Sequence, residues 1–107
     1  MLPPEFSVTV GRSGDTVTLA VAGELDLASA PLLAAHLDAL GTGDCRGAVT
    51  LDIGGVAFLD SSGVALLVRV SRRAEDEGWP LRIVGTQPQA RRVLEICGLL
   101  DVLPLAG

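Results

Sequence analysis

The stretch Ala48-Val49-Thr50-Leu51-Asp52-Ile53-Gly54-Gly55-Val56-Ala57-Phe58-Leu59-Asp60-Ser61-Ser62-Gly63-Val64 decides the fold. Ala48 to Ile53 is a short β-branched run of the kind that fills a central strand. A second apolar run, Val64 to Val70, is too long and too evenly filled for an edge strand. Between them Asp60, Ser61 and Ser62 form a polar step at the start of a helix running from about Ser61 to Glu77. The first half of that helix is apolar nearly all round and is expected to be buried. Its second half carries Arg69, Arg72, Arg73, Glu75, Asp76 and Glu77 and is expected to face water. Gly78 terminates it.

Upstream, Phe6 to Val10 alternates apolar and polar residues, as a half-exposed strand does. Gly11 to Asp15 is turn material, and Val17 to Val21 alternates again, so the two runs read as a hairpin. Gly23-Glu24-Leu25-Asp26 ends the second strand. Ser29 reads as an N-cap with Pro31 in the first turn of a helix that runs to about Leu40. Leu33, Leu37 and Leu40 share its apolar face, and Gly41-Thr42-Gly43 stops it.

Downstream, Trp79-Pro80 leads into a strand at Leu81 to Val84. Pro88 opens a third helix whose apolar face is Ala90, Val93, Leu94 and Cys97, with Gly98 as its stop. Leu99 to Leu103 reads as a short last strand. The order β-β-α-β-α-β-α-β demands an α/β fold: a mixed β-sheet with parallel pairs, helical cover and an antiparallel N-terminal hairpin. No repeat, low-complexity tract or linker divides the chain, so residues 1–107 read as a single domain.

Composition excludes several functions. Net charge is −5, all eight basic residues are Arg, and there are two Phe, one Trp and no Tyr. Nucleic-acid binding needs a cationic footprint and stacking rings, so no nucleic-acid partner is expected. No apolar stretch approaches the ~18 residues of a membrane span. The start, Met1 to Glu5, lacks the pattern of a signal peptide. The expectation is a cytoplasmic protein with no membrane partner. Cys45 and Cys97 lack ligand-spaced neighbours and read as small buried hydrophobes. His36, between apolar faces of its helix, reads as surface or boundary packing. Trp79 reads as cover for the core rim, with an exposed anchor for a partner as the alternative.

The enzyme readings fail. A nucleophilic Ser61 or Ser62 needs a base, His36 is the only His, and Asp-Ser-Ser-Gly is not an esterase elbow. Glu24 and Asp26, two apart, would share one face of a strand, but so small a chain leaves little room for a cleft. Gly54-Gly55 is no phosphate loop, since the chain has no Lys. No catalytic residue, metal or cofactor is expected. Capping by Asp60 or Ser61 would alone explain much of the polar step. Phosphorylation is the sharper alternative. A hydroxyl at a helix start is accessible, and the helix terminus tolerates an added charge of about −1.5 to −2.

These residues resemble the STAS domain family, most closely the stand-alone bacterial anti-sigma factor antagonists. The resemblance rests on Gly23-Glu24-Leu25-Asp26, on Phe58-Leu59-Asp60-Ser61-Ser62-Gly63, and on Pro88 with Cys97-Gly98-Leu99. It implies phosphorylation at Ser61, the Ser directly after the Asp. It also implies a partner surface that includes Glu24, Asp26, Asp60, Ser62 and Gly63. The implied partners are an anti-sigma factor Ser/Thr kinase, bound by the unphosphorylated antagonist so that the sigma factor is freed, and a PP2C-type phosphatase that reverses the modification. ATP belongs to the kinase. The family also includes non-phosphorylated accessory subunits of lipid-transport ATPase complexes, which supply the alternative function. Two features depart from the pattern. Gly63-Val64-Ala65 stands where relatives commonly have Gly-Leu-Gly, and many relatives carry one more helix where this chain reaches Gly107.

Overall fold

The computed structural model describes residues 5–40 and 47–106. Strands β1 (Ser7–Ser13), β2 (Thr16–Leu25), β3 (Val49–Leu59), β4 (Leu81–Val84) and β5 (Leu105–Ala106) form one sheet in sequential order. The β1–β2 pair is antiparallel and every other pair is parallel. Helices α1 (Ala30–Leu40), α2 (Ser61–Glu77) and α3 (Pro88–Ile96) connect the parallel strands. The expected α/β class and element order are therefore present.

Parallel crossovers are right-handed, and here each steps one strand in the same direction, which places the helices on one face of the sheet. Burial agrees. Val17, Leu19, Val21 and Leu25 on β2 and Val49, Leu51 and Ile53 on β3 are buried, whereas Thr18, Ala20, Thr50 and Asp52 on the opposite face are only half-buried. Helix α2 supplies the largest helical share of the core, through Val64, Leu66, Leu67, Val70 and Ala74. Each fully buried Leu or Val there contributes about 1.5–3 kcal/mol. Its buried stripe continues through Ser71 and Ala74 while Arg69, Arg72, Glu75, Asp76 and Glu77 face water. Gly78 ends it in the left-handed conformation at φ 77°, with its N–H on the Ala74 carbonyl.

Several boundaries differ from the sequence expectation. Both hairpin strands are longer, because Ser13 still pairs with Thr16 and only Gly14-Asp15 forms the turn. Gly14 takes φ 58°, which suits the first central position of a II′ turn matching the sheet twist. Strand β3 does not stop at Gly54-Gly55 but continues to Leu59, since β2 keeps pairing along its other edge with two register shifts. Leu99–Leu103 is not the last strand. Leu103 N–H bonds the Leu99 carbonyl, so the chain keeps turning after α3, and only Leu105–Ala106 rejoins the sheet. Cys97 is not buried: α3 ends at Ile96 and the chain turns, leaving the thiol exposed. Cys45 and the Gly41-Thr42-Gly43 stop lie outside the described residues.

His36 is exposed, its Nδ1 3.0 Å from the Leu32 carbonyl oxygen. Trp79 is half-buried and packs on the core, with its Nε1–H buried and unpaired among the described residues. Helices α1 and α2 are tied by Arg73, which reaches Asp38 at 3.0 Å and Glu77 at 2.6 Å. Among the described residues, no helix is long and apolar enough to cross a membrane.

Candidate functional site

The polar step sits where β3 hands over to α2. Asp60 is the N-cap of α2. It has extended backbone (φ −110°, ψ −173°), and its Oδ1 accepts the N–H of Ser62 at 2.9 Å and of Gly63 at 3.1 Å. These are orphan donors that any helix start must satisfy. Ser61 follows at the first helical position. Its side chain is exposed and makes no hydrogen bond among the described residues. The expectation that Asp60 or Ser61 caps the helix thus resolves to Asp60 alone. Ser62 is half-buried at the edge of a shallow groove between α1 and α2, floored by Ala34 and Leu66 and rimmed by Leu27 and Ala65.

Gly63 is buried because α2 crosses the ends of two strands at close range. A Cβ there would meet the Leu25 carbonyl oxygen at 2.7 Å and the Leu25 Cγ at 3.0 Å. The glycine that looks like helix punctuation is a requirement of packing.

The end of β2 lies directly alongside. Leu25 pairs with Leu59 and Glu24 with Phe58, and the Asp60 N–H donates to the Leu25 carbonyl at 3.3 Å. Glu24 is exposed beside Phe58, itself 42% exposed. Asp26 lies past the strand end, so the two carboxylates do not share a strand face. Its Oδ1 accepts the N–H of Ala28 and of Ser29, each at 3.0 Å. The N–H of Ser29, opposed by partial desolvation and helped by the Ser29 hydroxyl, holds this carboxyl below the usual carboxylate range. Ser29 stands at the N-cap position of α1 but does not cap it with its hydroxyl. That hydroxyl donates to the Glu24 carbonyl at 2.6 Å and accepts the Asp26 N–H at 2.9 Å, stitching the loop to the end of β2. The Gly23–Asp26 and Asp60–Gly63 segments therefore meet on one rim of the sheet.

Two residues to which the sequence reading gave no site role hold the β3 edge that leads to this rim. Gln89, on the first turn of α3, accepts the Leu59 N–H at 2.9 Å and donates to the Leu59 carbonyl at 3.3 Å. Gln87 donates to the Gly54 carbonyl at 2.6 Å. The only local signal for them is Gln-Pro-Gln at a helix start, which does not reveal partners about 30 residues away. Among the described residues, no group of His, Cys, Asp and Glu side chains is arranged to hold a metal ion.

Comparison with known proteins agrees with this geometry. The family model described as "Mlab, STAS domain" matches residues 8–104. The anti-sigma-B factor antagonist of Bacillus subtilis (strain 168) is 26% identical over 103 residues, covering 95% of this chain and 92% of that protein. The crystal structure of an anti-sigma factor antagonist from Mycobacterium paratuberculosis is similar with a TM-score of 0.76 at 27% identity, over 94% of this chain and 85% of that one. The Bacillus cell fate determinant SpoIIAA in its phosphorylated form shares the fold, with a TM-score of 0.71 at 22% identity over 96% and 92% of the two chains. A rim built from Gly23–Asp26 and Asp60–Gly63, on a sheet of this order and within a family match spanning nearly every residue, carries one conclusion: the chain belongs to the STAS domain family.

Proposed function

We propose that this chain is an anti-sigma factor antagonist controlled by phosphorylation of Ser61. The carrying observation is the division of labour at the start of α2. Asp60 holds the helix terminus, and the Ser61 hydroxyl beside it is exposed and has no hydrogen bond among the described residues. The names of the relatives described above support the same reading. The unphosphorylated form binds an anti-sigma factor Ser kinase through Glu24, Asp26, Asp60 and Ser62, while Gly63, expected on that surface, is buried and instead seats α2 on the strand ends behind it; the sigma factor is released. In the kinase's active site the Ser61 Oγ forms a bond to the γ-phosphorus of ATP as the bond to the β–γ bridging oxygen breaks. ADP leaves, and the hydroxyl proton passes to a base of the kinase. A PP2C-type phosphatase returns the hydroxyl by hydrolysis.

The switch follows from electrostatics. The phosphate adds a charge of about −1.5 to −2 at the helix start. The N–H groups of Ser62 and Gly63 are already occupied by Asp60, so they cannot take up the new oxygens without displacing the cap. The dianion stays outward, beside Asp60. A partner packed on this rim must desolvate it, at a cost large enough to end binding. The fold itself is spared, because an anion at a helix start is tolerated.

The alternative, a permanently docked accessory subunit of a lipid-transport ATPase complex, would use the same rim without the switch. The free Ser61 hydroxyl favours the switch, since a static interface needs no accessible hydroxyl there. The test is incubation with ATP and the purified Ser-kinase anti-sigma factor of the same genome, followed by mass spectrometric site mapping. Phosphate at Ser61 is expected, and Ser61→Asp is expected to abolish kinase binding with the melting temperature within a few degrees of wild type. Phosphate at Ser62 alone, or none, overturns the assignment.

A further inference from the structure

Strand β3 outruns its neighbour. Its pairing with β4 ends at Asp52, yet the strand continues to Leu59. From Ile53 onward its β4-facing edge has no strand beside it. Backbone N–H and C=O groups left unpaired in a partly buried position are costly. At Leu59 and at the Gly54 carbonyl they are taken by side chains of the α3 start, and the Gly54 N–H is taken by Asp52 Oδ1 at 2.9 Å. A carboxamide carries the same donor and acceptor as a peptide unit. Gln89 uses both on the N–H and C=O of Leu59, at 2.9 and 3.3 Å, and so stands in for the missing strand residue. Gln87 does the same for the Gly54 carbonyl at 2.6 Å. Pro88, with its fixed φ at the first turn, sets the separation between them.

Leu59 immediately precedes the Asp60 cap, whose own N–H is held by the Leu25 carbonyl at 3.3 Å from the opposite side. The Leu59–Asp60 step is therefore clamped between β2 and α3. Ser61 is the next residue, and among the described residues its hydroxyl has no hydrogen bond of its own to fix it. Its placement is inherited from the step before.

We propose that Gln89 is a positioning residue for phosphoryl transfer to Ser61. This rests on the reading of Ser61 as the phosphoacceptor. In-line transfer needs the attacking oxygen at a near-attack distance, and small misplacements are expensive in rate. Gln89 is half-buried and its carboxamide is occupied by the Leu59 peptide groups. It acts on the turnover of the docked complex and not on docking.

Gln89→Met tests this, since it keeps the stem volume and removes both hydrogen bonds. Initial rates are measured with ATP and the same Ser-kinase anti-sigma factor. The expected result is a kcat lower by about 10-fold or more, with KM for the antagonist within about twofold of wild type. Hydrogen exchange of the Leu59 amide is expected to accelerate and the melting temperature to fall by several degrees, since the buried Leu59 N–H and C=O lose their partners, so rates are measured well below the unfolding transition. Should the Met variant fail to fold, Gln89→Asn, one methylene short of Leu59, carries the same expectation. An unchanged kcat overturns the proposal, and so does a raised KM at unchanged kcat, which would make Gln89 a docking contact. Wild-type protein that takes no phosphate at Ser61 removes the phosphoacceptor reading together with this one. A phosphorylated wild type with an unaffected Gln89 variant removes this one alone.

Discussion

Gly63 lies against Leu25: a Cβ on residue 63 would stand 2.7 Å from the Leu25 carbonyl oxygen, and it would also crowd the Leu59 side chain. Replacing a helix glycine by Ala normally stabilises by about 1 kcal/mol. Here the added methyl meets backbone that cannot yield without moving β2, and overpacking of that kind costs about 1–3 kcal/mol. The clash wins. Gly63→Ala is expected to lower the urea midpoint at unchanged m-value, and a raised midpoint would show that α2 can lift off the strand ends.

The cap and the proposed phosphoacceptor are separable by stability alone. Asp60→Ala removes the acceptor for two N–H groups and is expected to cost about 1 kcal/mol, within a range of about 0.5–2. Ser61→Ala removes a hydroxyl without a partner among the described residues and is expected to stay within about 0.5 kcal/mol of wild type. Denaturant melts of the two variants check this. A loss at Ser61 equal to that at Asp60 would mean that the hydroxyl holds the helix.

How much of this was legible in the sequence depends on the range of the interaction. Helix α2 was readable because its cap, apolar stripe and Gly78 stop are local signals. Strand β3 was readable only to Ile53, because Gly54-Gly55 carries a turn signal that long-range pairing with β2 overrides. The last strand was displaced because apolar Leu99 to Leu103 looks like a strand, while the turn closed by Leu99 buries Leu103 without sheet pairing. At the site, Asp60 and Ser61 were visible as residue types. Nothing local distinguished which of them caps, nor that Asp26 turns into its own loop. Gln89 was invisible, since a carboxamide acquires meaning only from the peptide it faces.

Arg73 couples α1 to α2, and this predicts a salt-sensitive loss on mutation. Its guanidinium pairs with Asp38 and Glu77 and also reaches the Leu37 carbonyl, one of the last carbonyls of α1, at 3.4 Å. The Glu77 hydrogen bond is the first cause that raises its already high pKa, opposed by partial desolvation. With its side chain 28% exposed, solvent screening keeps the pairs weak. Arg73→Met keeps the stem and is expected to cost about 0.5–1 kcal/mol at low salt. The difference from wild type is expected to shrink toward 1 M NaCl, where the screening length falls to about 3 Å. A salt-independent loss would assign the effect to packing.

Asp26 gives the fold an acid limb whose sign can be worked out. Its ionised form accepts the N–H groups of Ala28 and Ser29, so its pKa in the folded chain lies below the ordinary value. The unfolded chain titrates near the reference of about 3.9. A depressed folded value means that the unfolded state binds the proton more readily, so stability rises with pH across the interval between the two values. The contribution is complete above the unfolded value and is lost as pH falls through the folded one. Asp26→Asn keeps an acceptor oxygen for the same turn and cannot titrate there. Between pH 7 and pH 3 the melting temperature of the wild type is therefore expected to fall further than that of the Asn variant. The two are expected to run parallel from pH 5 upward. Thermal melts by circular dichroism at pH 7, 5, 4 and 3 check this, and identical acid limbs would show that the loop closed by Ser29 gains nothing from the charge.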